Sequence, residues 1–218
     1  MRRLEVSSTM RSSYWRIKWK VLRHYDRIAK IYNMLYGQEQ ELKIKEALKN
    51  VSLDSSDMVL DVGCGTGLLF NYISRSVDTI VGIDISLESL KVALDFIKKT
   101  DNPSIELVRA DADFLPFKNE VFDKVFAITL LQNMPNPLLT LHEISRVAKT
   151  DSEIIVTGLK KFFSEESFSE ILSKSSMNFS IMNVGNSRVK GHIAICNKKP
   201  IVSTKNINMG MHSLMMVR

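Results

Sequence analysis

Cysteine is nearly absent from this 218-residue chain: Cys64 and Cys196 are the only two. That excludes a disulfide framework and a Cys-rich metal centre. His24, His142, His192 and His212 show no ligand spacing, so no metal is assigned. No apolar run approaches the length of a membrane span. The basic N-terminus continues into serines, Tyr14, Trp15 and more charge instead of an apolar h-region, which excludes a secretory signal. A mitochondrial-type presequence stays open, because the first 23 residues are rich in Arg and Ser and carry one acid, Glu5. Cytoplasm is the default location. What remains is ordinary globular composition, 44% hydrophobic and 25% charged, in a chain long enough for one well-cored domain.

The net charge of +6 is uneven. Residues 1–30 hold nine Lys/Arg against Glu5 and Asp26, a balance of +7, so the remainder sums to −1. Residues 1–22 read as a basic leader, solvated and partly disordered, that could also meet phosphates or anionic lipid. Residues 23–199 read as the folded domain. The Met-, Asn- and Ser-rich tail 200–218 reads as poorly ordered.

From residue 57 on, strand-like and helix-like stretches alternate. Strands are expected at 58–62, 79–83, 105–109, 122–130, 153–159, 179–184 and 192–196. Helices are expected at 67–74, 87–98, 138–148 and 163–173, with 14–35 and 38–49 upstream as lid helices. The alternation predicts an α/β, Rossmann-like, seven-stranded sheet, mostly parallel, with helices on both faces. No helix separates the last two strands, so the final one should run antiparallel.

The densest signal is Val59-Leu60-Asp61-Val62-Gly63-Cys64-Gly65-Thr66-Gly67. A buried strand enters three alternating glycines, and a helix with unpaired N–H groups is expected directly after them. The second strand ends at Asp84, where a carboxylate can accept from a ribose diol. A dinucleotide loop reads G-x-G-x-x-G, but here the spacing is G-x-G-x-G and Leu68 takes the third glycine's place. Asp61 would be unhelpful beside a pyrophosphate and favourable beside an ammonium. The pattern therefore favours S-adenosylmethionine, which has an α-amino group and no phosphate.

Residues 59–67 resemble motif I of the class I methyltransferases, and 81–86 resemble motif II. The segment 109–117, with Asp111, Ala112, Leu115, Pro116 and Phe117, is similar to the family's D-A-x-x-L-P-F segment. Phe122-Asp123-Lys124-Val125 resembles the start of its fourth strand. The likeness spans about residues 25–199 and is strongest to the broad group that includes ubiquinone and menaquinone biosynthesis methyltransferases. It implies that Gly63, Gly65 and Gly67 contact the methionine moiety through backbone groups, with Asp61 near its amino group. It implies Asp84 on the ribose, and Asp111 and the Ala112 N–H on adenine. Cys64, Thr66 and Ile85 complete the implied cofactor set. Asp113, one residue on, reads as a solvated neighbour.

Methyl transfer from a sulfonium chiefly needs alignment and exclusion of water, so catalytic residues leave little trace. Past the fourth strand the chain reads Leu131-Gln132-Asn133, where relatives often have Leu-His-His, so an obvious imidazole base is missing. Gln132, Asn133 and Tyr25 are the catalytic candidates, each with an alternative role in capping or packing. Tyr25, Ile28, Ala29, Tyr32, Leu35 and Tyr36 would share one face of a continuous lid helix. Three functions fit: methylation of a small molecule, methylation of tRNA or rRNA held by the basic leader, or cofactor binding without turnover as a partner subunit.

Overall fold

The computed structural model describes residues 8–198, so the expectations for the tail and the first seven residues lie outside the described residues. Seven strands form one sheet in the order β3-β2-β1-β4-β5-β7-β6. They are β1 (Met58–Val62), β2 (Thr79–Asp84), β3 (Ile105–Arg109), β4 (Phe122–Ala127), β5 (Ala148–Leu159), β6 (Met177–Ile181) and β7 (Gly191–Lys198). The first five are parallel, and β7 runs antiparallel between β5 and β6, as expected for strands without an intervening helix. Val59 and Leu60 are both fully buried and belong to opposite cores, which is why β1 is apolar at successive positions. Leu60 packs with α5 (Pro137–Val147) and α6 (Glu165–Lys174) on one face. Val59 packs with α2 (Tyr32–Leu48), α3 (Phe70–Ile73) and α4 (Leu87–Thr100) on the other.

Helix ends follow local chemistry. The Ser86 hydroxyl accepts from the Ser89 N–H at 3.1 Å to start α4, and Asp101 closes it in the left-handed region. Ser164 caps α6 in the same way, and Pro137 opens α5 where no N–H is needed.

Several boundaries differ from expectation. The helix expected at 67–74 contracts to α3, because tight turns occupy the residues before Phe70. β4 stops at Ala127, since Thr129 is left-handed (φ +61°) and a 3₁₀ turn follows at Leu131–Asn133. β5 begins five residues early, pairing Ala148 with Phe122 across an irregularity in register. The single helix expected at 14–35 is instead α1 (Ser8–Ile28), a 3₁₀ turn at Ala29–Ile31, and α2. Tyr25, Tyr32 and Tyr36 still form one row across the break, with ring centroids 6.0 and 5.2 Å apart, but Leu35 and Tyr36 are exposed.

α1 takes in most of the residues read as a solvated leader. Its Lys18 is 5% exposed and pairs with both Asp111 and Asp113. Asp113, expected in solvent, is 1% exposed and also accepts from the Tyr14 and Thr140 hydroxyls. Asp26 accepts from the Ser86 hydroxyl at 2.6 Å, fixing the other end of α1 to the start of α4. One cation of this basic segment is thus turned inward onto acids.

Two stability predictions follow from these contacts. A Cβ at Gly82 would lie 2.7 Å from the buried Phe70 ring and 3.0 Å from the Cys64 sulfur. Gly82→Ala should therefore lower thermal stability by about 1–3 kcal/mol, the range for overpacking. Lys18→Ala should cost about 3 kcal/mol in urea unfolding, because it strands two carboxylates in the interior. A variant as stable as the parent would mean that α1 is not held by this pair.

Candidate functional site

The carboxyl ends of β1, β2 and β4 open into a cavity that α1 closes from above through Lys18, Val21, Leu22 and Tyr25. Parallel sheets place such clefts where strand order reverses, here between β1 and β4. Asp61, Gly63, Cys64, Gly65 and Thr66 from the first loop line it, as do Asp84 and Ile85 after β2 and Asp111 and Ala112 after β3. Asn133 joins Tyr25 at the rim formed past β4. Two expected residues fall outside the lining. Gly67 faces Phe70, which a Cβ would meet at 2.6 Å, and Gln132 turns its amide onto the Thr129 carbonyl.

The glycine loop does not act as an anion cradle. Gly63 and Cys64 donate their N–H groups to the Ile83 carbonyl at 2.8 and 2.9 Å, Gly65 donates to Asp84 at 3.0 Å, and Gly67 to the Cys64 carbonyl at 2.9 Å. With these donors used and no helix starting at the loop, a phosphate would find little to bind. The loop instead contributes close approach: Gly65, at φ +54°, has nothing within 4 Å of where a Cβ would stand. The Thr66 hydroxyl meets Asn33 of α2 at 2.6 Å, so the loop is also tied to the helices above.

Charge in the cavity is negative and only partly compensated. Asp84 accepts from the N–H groups of Gly65 and Ser86, at 3.0 and 2.7 Å, yet burial, opposed by those bonds, still raises its pKa. Asp61 is 3% exposed, with no donor reaching its carboxylate among the described residues. Burial, reinforced by the neighbouring Asp84 charge, pushes Asp61 up to about 8. Asp111 receives Lys18 and the Asp113 N–H on Oδ1, while its buried Oδ2 has no partner among the described residues.

At the opposite rim, Asn133 donates to the Tyr25 hydroxyl at 3.0 Å and to the Thr129 carbonyl at 3.1 Å. Two of the three catalytic candidates therefore meet, and Tyr32 packs 6.0 Å from Tyr25 while lining the cavity itself. Burial raises the pKa of both tyrosines. Sequence reasoning missed two parts of this site. One is Lys18, which the spacing of Tyr14, Lys18, Val21, Leu22 and Tyr25 along one helix face could have signalled. The other is Lys43, fully buried, whose ammonium donates to the Thr129 hydroxyl at 2.7 Å and to Glu39 at 3.2 Å, with Gln40 at 3.4 Å. A lysine in the middle of a charged helix carries no such signal.

A family model described as a methyltransferase domain matches residues 60–156. Demethylmenaquinone methyltransferase of Staphylococcus saprophyticus is 33% identical over 134 residues, covering 60% of this chain and 55% of that protein. Phosphatidylethanolamine N-methyltransferase of Cereibacter sphaeroides is 34% identical over 139 residues, covering 63% and 67%. The chain thus spans about half the length of the first relative and two thirds of the second. Among solved structures, a SAM-dependent methyltransferase from Aquifex aeolicus shares the fold with a TM-score of 0.61 at 22% identity, covering 71% of this chain and 88% of that one. With its glycine loop, paired strand-end carboxylates and 3-2-1-4-5-7-6 sheet, the chain belongs to the class I S-adenosylmethionine-dependent methyltransferases.

Proposed function

We propose that this protein transfers a methyl group from S-adenosylmethionine to a small-molecule acceptor. The observation that carries the cofactor assignment is Asp61, a buried carboxylate at the edge of a cavity that receives no donor among the described residues. Such a group is completed by a cation, and an α-ammonium is one. The rest of the lining fits the same molecule. Gly65 leaves open space against the loop, Asp84 can accept from ribose hydroxyls, and the orphaned Asp111 Oδ2 can accept from an adenine amino group. Bound S-adenosylmethionine supplies a methyl group on a sulfonium that becomes a neutral thioether when the acceptor's lone pair takes the methyl.

The chain's own residues orient and enclose. α1 covers the cavity and excludes water, which strengthens each polar contact inside. Tyr25, whose pKa burial raises, accepts from Asn133 and keeps its own proton to donate, so the pair can orient an acceptor. A small acceptor is supported by the enclosed cavity and by two relatives named for small molecules. Against the RNA reading, Lys18 of the basic segment is buried on two acids and is not free for a phosphate.

Incubating the protein with methyl-labelled cofactor, together with a lipid-soluble extract, a water-soluble metabolite extract and total RNA in separate reactions, should place label in one of the small-molecule extracts. Label confined to RNA would overturn the acceptor class.

Asp61 gives a second test. Its folded pKa of about 8 lies above the ordinary value of 3.8. Its stabilising contribution to the cofactor-free fold is therefore complete below about pH 4 and lost as pH rises to about 8. Asp61→Asn should flatten that part of the stability profile. Pairing with an ammonium favours the ionised form, so cofactor binding below about pH 8 should release a proton, read by calorimetry in buffers of different ionisation heat. Asp61→Asn should abolish the release and weaken binding by roughly 1.5–3 kcal/mol, the worth of a charged hydrogen bond. Unchanged affinity and proton release would remove Asp61 from the site.

A further inference from the structure

α1 has two working faces. The inner one closes the cavity, and the outer one carries Arg16, Trp19, Lys20, Arg23, His24 and Arg27 along a shallow groove. Among the described residues, no ion pair uses Arg16, Lys20, Arg23 or Arg27. The acids within reach are committed elsewhere: Asp26 to Ser86, and Asp111 and Asp113 to Lys18. Trp19 stands among these bare cations, about half exposed. Trp15 and Ile17 of the same helix are also about half exposed, and large apolar exposure continues along the chain at Ile31, Leu35 and Met34, the last 78% exposed. A folded domain rarely leaves so many large apolar groups in water next to uncompensated charge without a partner for both.

We propose that the outer face of α1 seats the protein on an anionic lipid surface. Cations meet lipid phosphates while the tryptophans enter the headgroup layer and the aliphatic residues reach the acyl boundary, the arrangement of an interfacial amphipathic helix. Nucleic acid would use the cations and stack on the tryptophans, but Ile17, Ile31, Met34 and Leu35 offer a base no π-face. Aliphatic exposure decides for lipid. Since the same helix roofs the cavity, docking would bring the site's cover against the membrane.

Both tryptophans of the chain lie on α1, so intrinsic emission reports the contact directly. The full chain is mixed with vesicles of phosphatidylcholine alone or with phosphatidylglycerol added. Co-sedimentation with the anionic vesicles and a blue shift of emission are expected, both weakened by salt. Arg23→Gln with Arg27→Gln should reduce partitioning by roughly 25-fold, at about fivefold per charge. Trp19→Ser should remove much of the blue shift. All three positions are exposed, so unchanged melting curves are the folding control. The proposal does not rest on the methyltransferase reading, and calorimetry with S-adenosylmethionine on the same variants should show unchanged affinity. Equal partitioning to both vesicle types, no partitioning, or a blue shift insensitive to the Arg changes would overturn it. So would tighter binding to tRNA than to anionic vesicles.

Discussion

Two carboxylates at the ends of adjacent parallel strands set the terms for this end of the molecule. β1 and β2 pair in register, Asp61 opposite Gly82 and Val62 opposite Ile83, so Asp61 and Asp84 both reach the cavity from the same sheet edge. Placing two acids in one water-poor space is unfavourable unless each finds a donor. The loop resolves half of the problem. Its left-handed glycines bring the Gly65 N–H onto Asp84, and Gly63 and Cys64 fold back onto Ile83. Asp61 is left unresolved, with its pKa raised by burial and by Asp84. The fold holds a poised negative site that only a cation completes, and this separates it from phosphate-binding loops of similar sequence, where the N–H groups themselves stay free for the ligand.

The lid follows from the same constraint. Without α1, Asp61, Asp84 and Asp111 would stand in open solvent at the sheet edge, and their charges would be screened. With it, Lys18 enters from above and answers Asp111 and Asp113, while Tyr25, Tyr32 and the Thr66–Asn33 contact close the sides. The cations described along α1 therefore divide by helix face. Lys18 turns inward to buried acids, and Arg16, Lys20, Arg23 and Arg27 turn outward.

Most of the sheet was legible because its signals are local. Apolar runs of strand length mark β1 to β4, and Ser86, Asp101 and Pro137 are helix punctuation that acts within a turn. The parallel run of the first five strands and the antiparallel β7 followed from the alternation of strands and helices, whereas the order of strands across the sheet emerged only from the structure. Legibility ended at tight turns and where geometry depends on distant partners. The helix after the glycine loop shortened because tight turns, closed by Gly67 N–H on the Cys64 carbonyl and Phe70 N–H on the Gly67 carbonyl, occupy its expected first residues. Asp113 looked solvated because its partners, Tyr14, Lys18 and Thr140, lie 99, 95 and 27 residues away. Residues 14–35 were read as one continuous helix, whereas a three-residue 3₁₀ turn interrupts it between Ile28 and Tyr32.

The acceptor end shows why the cofactor half of such a site is written more plainly than the other half. Asp61, Gly65 and Asp84 answer fixed features of one molecule, so their spacing is constrained by that molecule. Past β4 the constraint is internal. Thr129 sits in the left-handed region without being glycine, a conformation that costs energy and persists only where its surroundings hold it. Here the Thr129 N–H donates to the Thr157 hydroxyl at 2.8 Å, its hydroxyl contacts Gln40 at 2.7 Å and receives Lys43 at 2.7 Å, and its carbonyl accepts from both Gln132 and Asn133. Five side chains from three separate elements, β5, α2 and the 3₁₀ turn, hold one backbone turn. That turn aims Asn133 at Tyr25, and the Lys43 ammonium, whose pKa burial lowers, is part of what holds it. The residues that shape the acceptor space are thus selected by the turn they support.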